Sequence, residues 1–412
     1  MRILHTSDWH LGQTLHDISR ELEHAQFLAW LNDTLETERA DALIVAGDIF
    51  DGANPPASAQ RAYYHFLAEC RRRTPHLEIV IVGGNHDSPG RLDAPASVLG
   101  AFGVHVVGGL PRSPNRDIDV DRAVIPLRDR GGAIRAWAVA APFLRPSDAT
   151  LAEREDFPSS VRRIYDALFA AARAKRLPGQ ALIATGHCYM RGGEISKLSE
   201  REIQRGNQDA LPVDIFPDDV AYVALGHLHK AQIVGGRQNV RYCGSPLPLA
   251  LSEKDYRHQV LLVELRGETC GDITVIPVPR TRDIHVIPET AAPLDEALKR
   301  LAALPARPQS SEKPAALLEV RILLDAPRPN LSQIIRTAIG DAFVELVNIR
   351  VERVGAGRSL ADHNRRAHLS ELSPEDVFVR CYQRSFPQET VPDDLRRAFH
   401  ELLDVVRNGG AE

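Results

Sequence analysis

Five times along this chain a short apolar run gives way, within a few residues, to a carboxylate, an amide or an imidazole. The runs Ile3 to Leu4, Ala42 to Ala46, Glu78 to Val82, Ala181 to Ala184 and Ala221 to Leu225 lead into five polar fragments. These are Asp8-Trp9-His10, Gly47-Asp48, Gly84-Asn85-His86-Asp87, Gly186-His187 and Gly226-His227-Leu228-His229. Runs this short and this apolar fit strands buried on both faces, and strand ends are where an α/β sheet gathers side chains from distant parts of a chain. Val104 to Val107 and Ile134 to Ala140 are two further runs of the same kind.

Helical periodicity lies between them. Ser19 has the chemistry of an N-cap, with Leu22, Ala25, Leu28, Leu31 and Leu35 behind it at helical spacing. A second helix is predicted after Pro55-Pro56, with Tyr63, Phe66, Leu67 and Cys70 along one stripe. After His229 the runs crowd together, at Ala231 to Val234, Val240 to Cys243, Gln259 to Leu265 and Ile273 to Val278, with turns at Gly235-Gly236 and Gly244. They predict antiparallel hairpins beside the main strands, and so an α/β fold: a two-sheet sandwich flanked by helices.

A chain of 412 residues exceeds one ordinary core. The motifs stop near Pro277 to Arg282, where a small α/β unit is predicted. It comprises a strand near His285 to Ile287, a helix from Leu294, a polar stretch from Pro305 to Pro314, a strand from Leu317 to Leu324, a helix from Leu331 and a strand from Val344 to Val354. Ser373-Pro374-Glu375-Asp376 then reads as a helix start, and a last helix after Pro392 carries Leu395, Ala398, Phe399, Leu402 and Val406. The expected domains are 1–280, 281–357 and a helical segment 358–412.

Composition excludes several classes. No apolar run approaches the roughly 20 residues that span a bilayer, and no signal pattern precedes the first strand, so no membrane role and a cytoplasmic location are expected. Cys70, Cys188, Cys243, Cys270 and Cys381 are scattered and never paired as CxxC, which fits reduced packing residues. The net charge of −5 does not draw the chain onto a polyanion by itself, so any nucleic-acid contact must be local or shared. Local candidates are Arg191, Lys197, Arg201 and Arg205, and then Arg350, Arg353, Arg358, Arg365 and Arg366, although each group alone reads first as a solvated face.

A lone Gly-His or Gly-Asp is more often a turn than a ligand. The ordered set of five changes that reading, because a dinuclear centre needs several ligands converging on two ions roughly 4 Å apart, one of them a bridging carboxylate. Carboxylate, amide oxygen and imidazole without thiolate suit Mn²⁺ or Mg²⁺ better than a structural zinc. The glycines before Asp48, Asn85, His187 and His227 suit tight turns and close backbone approach.

The set Asp-x-His, Gly-Asp, Gly-Asn-His-Asp, Gly-His and Gly-His-x-His resembles the calcineurin-like metallophosphoesterase superfamily. The resemblance implies that Asp8, His10, Asp48 and His229 hold one ion, that Asp48, Asn85, His187 and His227 hold the other, and that Asp48 bridges. His86 would face the scissile phosphate, stabilising the transition state or protonating the leaving oxygen. Asp87 would either orient His86 or cap the following turn, and Asp51 would serve helix entry or the substrate. The resemblance favours Mn²⁺. A water activated by the two ions would attack phosphorus in line, without a covalent enzyme intermediate.

Such a site serves phosphatases, cyclic-nucleotide phosphodiesterases and nucleases alike, so its surroundings must decide. Met1 to Gly12, Ile44-Val-Ala-Gly-Asp-Ile-Phe-Asp51, Tyr222 to Lys230, Arg241 to Pro246 and Leu369 to Phe378 resemble the SbcD family, the nuclease subunits of bacterial SbcCD complexes. The likeness covers nearly the whole chain and is patchiest from Arg112 to Arg130. It implies a manganese-dependent, ATP-stimulated 3′ to 5′ double-strand exonuclease that also opens DNA hairpins, in recombination, replication and repair. It further implies a capping domain that contacts DNA, tail helices docking on an SbcC-type coiled-coil ATPase, and a homodimer within a heterotetramer through helices like Tyr63 to Cys70 and Leu92 to Phe102. The alternatives are a stand-alone phosphodiesterase or phosphatase with the same dinuclear site, and a scaffold with a vestigial one.

Overall fold

The computed structural model describes residues 1–115, 117–148, 156–196, 210–306 and 313–353, and beyond them Phe378, Val379, Tyr382, Val391, Pro392, Leu395, Arg396 and Phe399. Lys197, Arg201, Arg205, Arg358, Arg365, Arg366, Cys381 and the helix start at Ser373-Pro374 lie outside the described residues. The chain divides into two compact units, Met1–Glu352 and Arg353–Glu412. In the second, the rings of Phe378 and Phe399 stack with centroids 4.2 Å apart.

The apolar runs form the strands of two six-stranded sheets. In the first, Arg2–Thr6, Ala42–Ala46, Glu78–Val82 and Val104–Val107 lie side by side and parallel, and the hairpin Gln259–Arg266 with Thr269–Pro277 adds antiparallel strands beside Arg2–Thr6. In the second, Ile134–Ala141, Ala181–His187, Tyr222–Gly226 and Arg237–Tyr242 are parallel, with antiparallel edges Val124–Arg128 and Gln232–Val234. The edge strand Val124–Arg128 has no counterpart among the predicted runs: Pro126 interrupts its pattern, and an edge tolerates proline because it needs fewer backbone donors.

Side chains alternate across each sheet, so an apolar run buried on both faces serves two cores at once. Ile3, Ala42, Ile44, Val80 and Val82 meet Ala136, Ala138, Ala140, Ile183 and Ala224 between the sheets. Leu4, Leu43, Val45, Ile79 and Ile81 face outward, against the helices Glu21–Thr37 and Ala57–Arg73. The helix Phe157–Lys175 covers the outer face of the second sheet through Val161, Ile164, Leu168 and Phe169. A polar bridge crosses between the sheets: His5 Nε2–H donates to Leu225 O at 3.2 Å, and its Nδ1 accepts from the Tyr222 hydroxyl at 2.9 Å. Burial pushes His5 down to about 3, which keeps the ring neutral for both bonds.

Two helical expectations need correction. The first helix begins at Glu21 after Arg20, and Ser19 ends a small hairpin strand instead of capping it through a strong bond. Leu22 and Ala25 are exposed, because the buried face runs through Glu23, His24, Phe27, Leu28, Leu31 and Leu35, and Arg20 satisfies Glu23 at 2.6 Å. The second helix does carry its stripe where expected, but Tyr63, Phe66, Leu67 and Cys70 are buried within the chain and are not available to a partner. Leu92 is likewise buried, whereas Val98 and Phe102 are exposed.

A smaller sheet of Ile284–Pro293, Ala316–Leu324 and Val344–Arg353 follows, with the helices Leu294–Ala302 and Leu331–Ile339 packed on it through Ala297, Leu301, Val320, Ile322 and Ile335. It meets the sandwich where Ile284 and Leu317 pack on Leu15 and Leu251.

Candidate metal centre

Parallel strands share one direction, so their carboxyl ends share one edge, and the candidate residues collect there from both sheets. Thr6 leads to Asp8 and His10, Ala46 to Asp48 and Val82 to Asn85, while His187 ends its strand and Gly226 leads to His227 and His229. Between Asp8 and His10, Trp9 plunges away into the helix layer, edge-on to Phe27 and Phe66, with its Nε1–H on Thr6 Oγ1 at 3.0 Å. The anchored indole fixes the turn that presents its two neighbours to the site.

That turn is strained. Asp8, His10, Asp48 and His227 have φ of 55°, 47°, 50° and 105°, in the left-handed region that ordinary side chains avoid. Backbone bonds hold the conformation: Asp8 N–H donates to Gly47 O at 3.0 Å, and His10 N–H to Asp48 O at 3.1 Å. Gly84 permits a close approach, since a Cβ there would sit 2.1 Å from Asp48 Oδ1. Likewise Gly47, at φ +91°, has the His187 ring where its own side chain would be.

The structure brings together all seven sequence-predicted ligands, Asp8, His10, Asp48, Asn85, His187, His227 and His229, together with His86 and Asp87. Asp48 is central: its Oδ2 lies 3.5 Å from His10 Nε2 and 3.3 Å from His187 Nε2, while Oδ1 accepts from His86 N–H at 2.9 Å. One set of converging ligand atoms comprises Asp8, His10 and His229, and a second Asp8, Asp48 and His187. Asn85 Oδ1 adjoins the second, 2.9 Å from both His187 Nε2 and His227 Nδ1.

Outer partners settle which ring nitrogens face inward. His187 Nδ1–H donates to Ala46 O at 2.9 Å, and His10 Nδ1–H to Asp51 Oδ1 at 3.1 Å. His229 Nδ1–H does the same to Glu253 Oε1 at 3.1 Å. Each leaves Nε2 as the ligating atom, as metal-bound histidines commonly do. His10 Nε2 is buried without a hydrogen-bond partner, a loss that a cation would repay. Burial pushes His227 down to about 3, with the His187 ring adding to the effect, so it offers a lone pair. Carboxylates, an amide oxygen and imidazoles aimed at one another repel unless a proton or a cation lies between them; this donor set fits two divalent ions.

Glu253 is a partner of the centre that the sequence does not reveal, and Asp51, which the sequence raises for helix entry or the substrate, holds a ring of the centre instead. Asp51 precedes the helix Ala57–Arg73 by six positions, so the helix-entry role does not hold; it holds His10, and its main-chain oxygen accepts from His86 Nδ1–H at 2.8 Å. His10, Asp51 and His86 thus form a hydrogen-bonded trio beside the ion sites. Glu253 is wholly buried, with Oε2 accepting from Leu249 N–H at 2.7 Å. Its only trace in the sequence is a solitary acid closing the apolar stretch Leu247 to Leu251.

Asp87 accepts three backbone N–H bonds, from Ile49 at 3.1 Å, Phe50 at 3.0 Å and Gly84 at 2.9 Å. Its carboxylate therefore staples the Asp48 loop to the Asn85 loop. Burial and the neighbouring Asp48 push Asp87 up to about 6, with the three N–H donors pulling the other way.

The centre also makes a titration prediction. Burial opposes charge on His187, but the Asp48 carboxylate outweighs it and lifts the metal-free ring to about 9. Asp48 is held well below the usual carboxylate range by His187 and His10 against the cost of its burial. Below the ordinary histidine pKa the His187–Asp48 pair gives the metal-free fold its full stabilisation, which is lost as pH rises through about 9. An ion must take the place of that proton. Metal binding at about pH 7.5 should release about one proton per chain from His187, beyond any lost by metal-bound water, and this His187 share should vanish above about pH 9, as read by calorimetry in buffers of differing ionisation enthalpy. Heats independent of buffer at the lower pH would contradict it.

Of the remaining expectations, Arg191, Arg350 and Arg353 are exposed, and Arg350 lies 3.7 Å from Glu352. The described cysteines are free, and burial raises the Cys188 thiol to about 12, leaving it unsuited to ligation. No helix among the described residues is long and apolar enough to cross a membrane.

Comparison with known proteins agrees with this geometry. Residues 1–231 match the calcineurin-like phosphoesterase family, and residues 280–386 match a family described as the type 5 capsule protein repressor C-terminal domain. The chain is 42% identical to the SbcD polypeptide of the nuclease SbcCD from Rhodobacter capsulatus, over 93% of this chain and 94% of that one. It is 34% identical to the Escherichia coli K12 protein of the same name, over 98% of each, and 30% identical to that of Bacillus subtilis, over the full length of both.

Proposed function

The chain belongs to the SbcD family of calcineurin-like phosphoesterases, and from that premise we propose that it hydrolyses DNA phosphodiester bonds as the nuclease subunit of an SbcCD complex. One observation carries the chemistry: a single carboxylate oxygen of Asp48 faces His10 and His187, the leading imidazoles of the two ligand sets. The near full-length likeness to nuclease subunits favours this reading over a stand-alone phosphatase.

The ions would be held by Asp8, His10, Asp48 and His229 on one side and by Asp48, Asn85, His187 and His227 on the other. When bound they supply a water nucleophile at neutral pH and neutralise charge developing on phosphate oxygens. Mn²⁺ fits better than Mg²⁺ because four of the seven ligands are imidazoles, which Mg²⁺ accepts poorly.

The protein's own groups do the rest. Asp51, Glu253 and the Ala46 carbonyl hold the rings of His10, His229 and His187. Because His86 Nδ1–H is committed to Asp51 O, the proton that His86 gives the leaving oxygen must come from Nε2. Asp87 acts as a positioning residue, locking the loops that carry Asp48, Asn85 and His86.

We further assign residues 281–357 to a cap that contacts DNA and 358–412 to docking on an SbcC-type coiled-coil ATPase, in a cytoplasmic complex. A homodimer would use the exposed Val98 and Phe102, since the Tyr63 to Cys70 stripe is internal. ATP stimulation, 3′ to 5′ polarity and hairpin opening are the finer activities of this reading.

Incubating the purified chain with Mn²⁺ and labelled hairpin or blunt duplex DNA, with and without the ATPase partner and ATP, should give Mn²⁺-dependent cleavage that the partner and ATP increase. Intact DNA in every combination would overturn the nuclease assignment.

A further inference from the structure

A cavity of about 510 Å³ opens at the junction of the sandwich and the small sheet, where Leu247 and the strands Gln259–Arg266 and Thr269–Pro277 meet the connection Arg280–Arg282. None of the seven ligand candidates lines it. Its wall has two characters: Tyr256, Leu247, Val275 and Val278 are apolar, and Arg257 and Arg280 are cationic.

The charge there is not cancelled locally. Lys254, also in the wall, lies 2.8 Å from Asp255 and 3.1 Å from Glu289, and Arg282 lies 3.3 Å from Glu345. The Glu23 carboxylate is taken up by Arg20 at 2.6 Å. Arg257 and Arg280 have no carboxylate partner among the described residues, and Arg280 reaches only the Tyr256 carbonyl, at 3.5 Å. On a chain whose net charge is −5, two uncompensated guanidinium groups beside one cavity mark it for an anion.

Size and lining narrow the anion. The volume lies in the usual range of small-molecule sites and exceeds what a bare phosphate fills. A phosphate alone would leave the apolar wall uncovered, whereas an aromatic ring bearing a phosphate uses both halves. Tyr256 offers a face for such a ring, its orientation supported by the Ser196 hydroxyl, which donates to its own hydroxyl at 3.1 Å.

We propose that this cavity is a second nucleotide site, separate from the metal centre, taking a nucleoside monophosphate unit with its base against Tyr256 and its phosphate on Arg257 and Arg280. The proposal deepens the nuclease reading, on which it rests for the source of that unit: either a mononucleotide freed by cleavage or the terminal nucleotide of a bound strand. Both present the same chemistry to the cavity.

The test uses the full chain in EDTA, so that the metal centre cannot hold phosphate, with calorimetric titration of deoxyadenosine 5′-monophosphate. Binding should weaken by about tenfold to a hundredfold in the double variant Arg257→Gln/Arg280→Gln, since each lost contact is a hydrogen bond to a charged group. Val275→Glu, which adds a negative charge to the same wall without removing an arginine, should weaken it as well. Deoxyadenosine and inorganic phosphate should each bind more weakly than the monophosphate. Equal binding by wild type and double variant at unchanged melting temperature overturns the site, as does no binding by wild type. Deoxyadenosine matching the monophosphate overturns the phosphate assignment, and inorganic phosphate matching it overturns the nucleoside. A 5′-phosphorylated oligonucleotide that binds more tightly than the monophosphate identifies the strand end as the source, and equal binding identifies the free nucleotide. A chain that binds the monophosphate but cuts no DNA retires the nuclease reading and keeps the site; the reverse result retires the site alone.

Discussion

Asp48→Ala is expected to lower Mn²⁺-dependent DNA cleavage by about 10⁴-fold, roughly 5 kcal/mol of transition-state stabilisation, and to leave fewer than two ions per chain. The magnitude follows from the position of the residue. Its Oδ2 faces both His10 and His187, so its loss damages both ligand sets at once. Its Oδ1 also fixes the His86 backbone, so the proposed proton donor loses its anchor too. In the metal-free protein the same change leaves the His187 ring without the carboxylate that raises its pKa, and the ring should then become neutral at neutral pH. Elemental analysis decides the matter: a variant that retains both ions contradicts the bridging role, whatever its activity.

His86→Gln should behave differently, with both ions retained and kcat down by about 10² to 10³-fold. The residue meets the centre through its neighbours: its backbone N–H on Asp48, its Nδ1–H on the Asp51 carbonyl, and its ring edge-on to that of His10 with centroids 4.7 Å apart. Glutamine preserves the backbone bond and a polar side chain but removes the proton that Nε2 can deliver. KM should move less than kcat, because the lost interaction belongs to the departing oxygen and not to substrate binding. A substrate whose leaving group needs no protonation, such as a p-nitrophenyl phosphodiester, should suffer a much smaller loss. Undiminished DNA turnover in the metal-loaded variant, or an equal loss on both substrates, would remove His86 from the proton-transfer role.

Much of this centre is legible in the sequence because each ligand is tied to a strand end by local rules. Apolar runs such as Ala42–Ala46 are buried on both faces, so their ends are unambiguous, and the glycine that follows reports a backbone turning tightly past a neighbour. The outer partners are not legible for the opposite reason. Glu253 meets His229 across 24 residues, and Asp51 meets His10 across 41, through turns with no periodicity. Periodicity misplaces one side of the first helix because Glu23 and His24 are buried polar residues, Glu23 paired with Arg20 three positions before it, and a hydrophobic pattern cannot register them. The role of Asp87 depends on its carboxylate reaching backbone N–H groups 37 and 38 residues before it, which no local pattern encodes.

The bridge from His5 to Tyr222 and Leu225 holds the two sheets together, and the ligands divide between them. Asp8, His10, Asp48 and Asn85 follow strands of the first sheet, while His187, His227 and His229 belong to the second. Ions bound across that division would act as a removable cross-link closing a loop from Asp8 to His229, more than half the chain. Such a tie restricts the unfolded chain most when the loop it closes is long. The melting temperature of this protein should therefore also gauge how fully its candidate metal centre is loaded.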